Sequence, residues 1–345
     1  FNTGVNTSKL YRMELFVNKF ATNCKKMSGD ELHTLLDQIH EIHGFYSPPF
    51  LGLAAAVACC AFTFLLGGGP TEMFCAFLGA GAGNYLRAKM NQHHLTLFLC
   101  TAASVALACI VYTIAFMALK SGFHISIHHQ AGYICSMLFI IPGFPFITSG
   151  IDLAKLDMRS GMERLMYALI IVLVATMSAW IMALILGLQP VDFLKLDLTQ
   201  AEWIVFRLLA SFCGVFGFSI MFNSPTRLAA VAAGIGAIAN TLRLELVDLT
   251  ALPPAAAAFV GALTAGLLAT MIKNQVGYPR ISVTVPSIVI MVPGLYLYRG
   301  FYNLGTMNLS VSASWFAAAI LIVAALPLGL IFARILTDKT FRYCT

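Results

Sequence analysis

Residues Ile141–Asp152 read IPGFPFITSGID and lie inside a strongly apolar run. Within that run they bring two prolines, two glycines, two hydroxyls and a carboxylate. Proline removes a backbone donor and clashes with the preceding turn, so Pro142 and Pro145 forbid an unbroken membrane helix here. Hydrocarbon offers the freed carbonyls no partner. Irregular backbone at membrane depth therefore belongs where it is packed in protein or lines a wet cavity. Near the other end of the chain, Val292–Gly300 reads VPGLYLYRG and interrupts a second apolar run. Two such segments in corresponding halves of a chain point to the binding site of a transporter.

Composition sets the class. The 345 residues are 59% hydrophobic and only 10% charged, with mean hydropathy +0.84. A soluble domain carries roughly 25% charged residues, so this is a polytopic all-α membrane protein. The net charge of +6 is spread out, with no basic run suited to nucleic acid. The nine cysteines lie mostly in apolar segments without CxxC spacing and read as small core residues.

The first 46 residues form the one soluble-looking region, two amphipathic helices expected on the cytoplasmic side. Ser28 with Glu31 is a capping box ahead of the stripe Leu32, Leu35, Leu36, Ile39 and Ile42. That stripe is expected to be covered by protein. Ten apolar spans follow, the fourth at Ala131–Gly150 and the ninth at Val283–Phe301. The second (Thr71–Leu86) and seventh (Thr226–Leu242) are short and rich in Gly and Ala, which suits close helix contact. With both termini cytoplasmic, eight basic residues fall in cytoplasmic loops against four on the far side. Pro142-Gly143 recurs as Pro293-Gly294, and Asn84, Leu86 and Arg87 recur as Asn240, Leu242 and Arg243, at nearly equal separations. The chain thus divides into two five-helix repeats, residues 47–190 and 191–345. An odd number of spans per repeat inverts the second, giving a 5+5 inverted repeat with spans four and nine broken.

The run PGFPFITSGIDLAKLDMRSGMERL (Pro142–Leu165) resembles a signature of the threonine/serine exporter family. VPGLYLYRG resembles the partner signature in that family's second half, and VNKF…SGDELHTLLDQI resembles the linker before its first membrane helix. The resemblance covers essentially the whole chain. It implies ten membrane helices in the plasma membrane and proton-coupled export of small hydroxy amino acids by antiport. Relatives split into two polypeptides imply a succinate-type dicarboxylate exporter as the alternative. A longer cytoplasmic N-terminal region is also usual in that family.

An amino-acid substrate is a zwitterion. A broken helix offers it free amides at one half-helix end and free carbonyls at the other. Pro142, Gly143, Pro293 and Gly294 are therefore candidate substrate contacts. Thr148 and Ser149 either touch a hydroxylated substrate or cap freed carbonyls. Tyr298 and Arg299 follow the second break; Arg299 either holds a substrate carboxylate, pairs with an acid from the other repeat, or is an interfacial, snorkelling arginine. Asp152 is the candidate proton carrier, because ionisable residues at membrane depth are functional by default. Its other reading is a cap for the next helix or a partner for Lys155. Asn84, Arg87, Asn240 and Arg243, repeated at equivalent helix ends, read as structural ties to broken-helix carbonyls. Arg207 reads as a snorkelling residue, and Glu72 as a helix N-terminal acid.

No cofactor is indicated. His93-His94 and His128-His129 fall on opposite sides of the expected topology, and no metal set emerges. No HExxH or GxSxG elbow suggests an enzyme, and an inverted repeat suits a channel less well than a carrier. Partners are then a small solute, protons and the bilayer, with a homo-oligomer left open.

Overall fold

The computed structural model describes residues 6–23, 27–42, 44–123, 131–194, 196–276, 279–339 and 341. Two helices, α1 (Thr7–Asn23) and α2 (Gly29–His40), precede the bundle. The first half continues with α3 (Pro48–Leu65), α4 (Pro70–Gln92) and α5 (Leu97–Phe123). Next comes a broken unit, made of α6 (Tyr133–Ser136), a 3-10 turn (Leu138–Ile140) and α7 (Gly143–Ala154), and then α8 (Met158–Leu186). The second half runs α9 (Gln200–Met221), α10 (Thr226–Thr250), α11 (Pro254–Val276), the broken pair α12 (Arg280–Val289) and α13 (Gly294–Gly305), and α14 (Leu309–Thr337). No strand occurs among the described residues.

Helix starts follow local chemistry. Pro48, Pro70 and Pro254 open their helices, where the missing N–H would have had no partner. Ahead of α9, Thr199 N–H donates to Glu202 Oε2 at 2.7 Å, and Glu202 N–H returns a bond to Thr199 Oγ1 at 3.4 Å. Glu72 likewise accepts from Gly69 N–H at 3.0 Å, as a helix N-terminal acid should.

Seven helices among the described residues are long and apolar enough to cross a bilayer, or nine if each bent pair is one span. The chain is a multi-pass membrane protein. The remaining long helix of the bundle, α4, has 23 residues but is less apolar, carrying Glu72, Arg87 and Lys89. It packs chiefly against α3 and α5. Its glycines permit this: a Cβ on Gly79 would stand 2.7 Å from the Ala108 carbonyl, and one on Gly83 2.8 Å from that of Ser104. Gly236 of α10 approaches the Ser287 carbonyl in the same way, at 2.6 Å. Both α4 and α10 run well past the apolar stretches read from sequence, because helical hydrogen bonding continues through polar residues at the bundle ends.

The two broken units resemble each other closely at their breaks. Pro142 (φ −80°, ψ 62°) and Pro293 (φ −81°, ψ 56°) each centre an inverse γ-turn. In each turn the next glycine's N–H donates two residues back, Gly143 to Ile141 at 2.8 Å and Gly294 to Val292 at 2.9 Å. The bends at the two breaks are 52° and 51°. Both α7 and α13 have 12 residues, and each is followed by a left-handed residue, Leu156 (φ 63°) or Met307 (φ 60°). The first break is narrower than the sequence suggested. Pro145 is the third residue of α7, inside the first turn, where amides have no intrahelical acceptor, so it does not interrupt the helix.

The N-terminal helices are tied to the α9–α10 turn. Thr7 N–H donates to the Phe222 carbonyl at 3.1 Å, and Phe45 N–H donates to Asn223 Oδ1 at 2.7 Å. Asn223 Nδ2 in turn donates to Asn6 Oδ1 at 3.0 Å. The α2 stripe is only partly covered within this chain: Leu32, Leu35, Ile39 and Ile42 are half-buried and Leu36 is exposed, as are Leu10, Met13, Val17 and Phe20 of α1. The attachment runs through helix ends and turns, not through the apolar faces. Asn223 also sits at φ 57°, a left-handed conformation that asparagine tolerates better than most residues. Asn223→Ala removes both side-chain bonds and adds backbone strain. Limited proteolysis is therefore expected to release the first 46 residues several-fold faster, and an unchanged cleavage rate would refute this anchoring role.

Candidate functional site

The two breaks cross in the core. A Cβ on Gly143 would lie 2.5 Å from Val289 Cγ2 and 3.1 Å from Val292 Cγ2. One on Gly294 would lie 2.8 Å from Leu138 Cδ2 and 3.1 Å from Ile141 Cγ1. Each glycine thus packs on the broken segment of the other half, and neither is open to a solute. A further contact joins the halves: the hydroxyls of Tyr133 and Tyr298, 2.7 Å apart, with their rings edge to face and both residues fully buried.

Two cavities flank this crossing at opposite ends of α3 and α9. The larger, about 450 Å³, is bounded by the end of α3 (Leu66, Gly67), the α8–α9 loop, the start of α9 (Trp203, Arg207), Asp248, and Leu295 and Arg299 of α13. The smaller, about 190 Å³, meets the start of α3 (Leu51), the end of α4 (Asn84, Arg87), the first break (Ile141, Pro142), Pro145, Tyr167 and Phe222. The first break therefore lines one cavity and the first turn after the second break lines the other.

The candidate residues divide between these places. Arg299 lies in the larger cavity, 2.8 Å from the Asp192 carboxylate and with its guanidinium 5.0 Å over Trp315. Asn84 donates to the Leu51 carbonyl at 2.7 Å, beside Arg87, in the smaller cavity. Asn240 donates to Ser211 Oγ at 2.8 Å, and Arg243 to the Met291 carbonyl at 3.3 Å, within the second break. That is a direct tie to a carbonyl freed by a broken helix. Thr148 and Ser149 are buried and turn back on their own helix, to the Phe144 carbonyl at 3.0 Å and the Phe146 carbonyl at 2.8 Å. They line neither cavity, and their geometry is that of back-bonded helix hydroxyls. Asp152 sits near the C-terminal end of α7 and accepts from Arg164 Nη1 at 2.7 Å, so its ion-pair partner is Arg164 of the next helix. It too lines neither cavity.

Sequence reading missed Arg207. It is a paired, buried residue: Nη1 is 2.7 Å from Glu245, Nη2 bonds Asp248, and the guanidinium lies 4.8 Å over Trp203. The signal was present, since Trp203 is one helical turn from Arg207, and Glu245 and Asp248 are one turn apart on α10. His128 and His129 lie outside the described residues, among which no group of three His, Cys, Asp or Glu could hold a metal ion.

The arrangement presents cations and carboxylates at one end of the crossing, and Asn84 and Arg87 at the other. A family model for the threonine/serine exporter matches residues 2–187. A second model, described as the threonine/serine exporter ThrE, matches residues 207–336. No curated protein and no solved structure matches the chain.

Proposed function

The chain belongs to the threonine/serine exporter family, and on that premise we propose that it is a secondary active exporter of serine and threonine working by proton antiport. The observation that carries the reading is the crossing of two similarly broken segments, with a cavity on either side of it. Alternating access requires two half-paths separated by a thin barrier between repeats, and this geometry supplies one.

In the proposed arrangement α3 to α14 make ten spans in the plasma membrane, counting each broken pair once and including α4. The halves are inserted upside down to each other, with both termini cytoplasmic. The larger cavity then opens outward and the smaller one inward. Arg299 meets the substrate carboxylate near the second break. Asp152 carries the coupled proton, and its protonation releases Arg164 and so loosens α7 from α8. Asn84, Arg87, Asn240 and Arg243 hold the broken segments in place.

A second reading, dicarboxylate export, is favoured by one observation, that two arginines line the larger cavity. Counterflow in proteoliposomes separates the possibilities. Labelled threonine is expected to enter vesicles preloaded with unlabelled threonine or serine, and succinate is expected not to compete. Competition by succinate alone would favour the dicarboxylate reading. Net flux without exchange would indicate a channel, and no movement of any of these solutes would refute the export reading.

A further inference from the structure

The larger cavity holds more chemistry than Arg299. We infer that it is a vestibule for zwitterions, in which Arg207 and Arg299 receive a carboxylate while Asp192 and Asp248 receive the ammonium group. This deepens the export reading and rests on it.

Three observations converge. The first is position and burial. Both guanidiniums line the same cavity, and their side chains are only 10% and 12% exposed, so a ligand there meets partly desolvated cations. The second is spare capacity. A guanidinium has five N–H donors, and the contacts of Arg299 to Asp192 and to the Val191 carbonyl both run through Nη2, which leaves the fork able to take a further acceptor. The third is the charge balance. Among the described lining residues two cations face two carboxylates, and Glu245 stands behind Arg207. A zwitterion enters such a lining without changing its net charge. A dianion would add two negative charges with no free cation to meet them.

The two arginines have different roles. Arg207 is held by Glu245, which is itself 13% exposed, so its place is fixed. Arg299 is paired with Asp192, whose side chain is 88% exposed on the α8–α9 loop. Asp192 exchanges partners with water at little cost, because exposed ion pairs contribute little. An arriving carboxylate therefore takes Arg299 from Asp192, and Asp192 is released to the ammonium group. Each arginine lies against an indole, Trp203 or Trp315, and these are two of the three tryptophans in the chain.

Those indoles give the measurement. Full-length protein in lipid nanodiscs is titrated with L-threonine and with succinate while intrinsic tryptophan fluorescence is followed. A saturable change with threonine and none with succinate at equal concentration is expected. Arg207→Gln is expected to raise the threonine Kd at least tenfold. Arg207→Lys, which keeps the charge but loses the fork, should fall between the two and covers the case in which the glutamine variant fails to fold. A wild-type Kd in a monodisperse Arg207 variant overturns the vestibule. Tighter binding of succinate than of threonine also overturns it. If threonine counterflow persists in that case, the export reading stands without the vestibule; if wild-type protein shows neither binding nor counterflow, both fall.

Discussion

Asp152→Asn is expected to abolish threonine accumulation driven by a pH gradient while leaving threonine counterflow within about twofold of wild type. An amide cannot bind and release a proton, so the antiport cycle has no carrier at this position. Exchange of labelled for unlabelled solute moves no net proton and can proceed without one. The separation should be clean because Asp152 touches neither cavity, and its loss does not disturb a solute. Folding should also survive. The Asp152 carboxylate pairs with an Arg164 side chain that is 49% exposed, and such pairs contribute about 0–1 kcal/mol. Arg164→Gln should impair coupling less, since the acid itself remains. Full accumulation by Asp152→Asn would remove this residue from the mechanism. Loss of both accumulation and counterflow in folded protein would make its role structural.

The second large effect concerns the crossing. Gly143→Ala places a methyl 2.5 Å from Val289 Cγ2, and both Val289 and Val292 are buried and too short to swing aside. Overpacking of this kind costs about 1–3 kcal/mol, and Gly143→Val should cost more. The alanine variant should unfold at lower temperature in detergent, and the valine variant should yield little monodisperse protein. Val289→Ala added to Gly143→Ala opens the space again and should recover part of the loss. Gly294→Ala, facing Leu138, has a longer and more adaptable neighbour and should be milder. A Gly143→Ala protein as stable as wild type would mean that the crossing is looser than its geometry indicates.

What could be read from sequence, and what could not, follows from how local each signal is. The Pro-Gly pairs marked both breaks because proline chemistry acts within one turn. Pro145 misled because the same proline that stops a helix from inside is harmless three residues from its start. Thr148 and Ser149 left two readings open, since a hydroxyl near a break can face either a solute or its own helix, and only backbone direction decides. Arg207 was read as snorkelling because its partners Glu245 and Asp248 arrive from another helix. The Tyr133–Tyr298 contact joins residues whose nearness depends on the whole bundle. Residues acting within a turn could be found. Those acting between halves needed the fold.

The low apolarity of α4 bears on how the chain enters a membrane at all. During synthesis each segment partitions between water and lipid by its own hydropathy, and acids and bases weigh against entry. Glu72, Arg87 and Lys89 give α4 a poor score of its own, while α3 before it and α5 after it enter readily. Asn84 finds its partner, the Leu51 carbonyl, only once α3 is beside it. Biogenesis must therefore hold α4 near the insertion machinery until α5 has emerged and lower the three as one packet. A ribosome stalled just after Gln92 would carry a hairpin whose second arm has not yet committed to the bilayer.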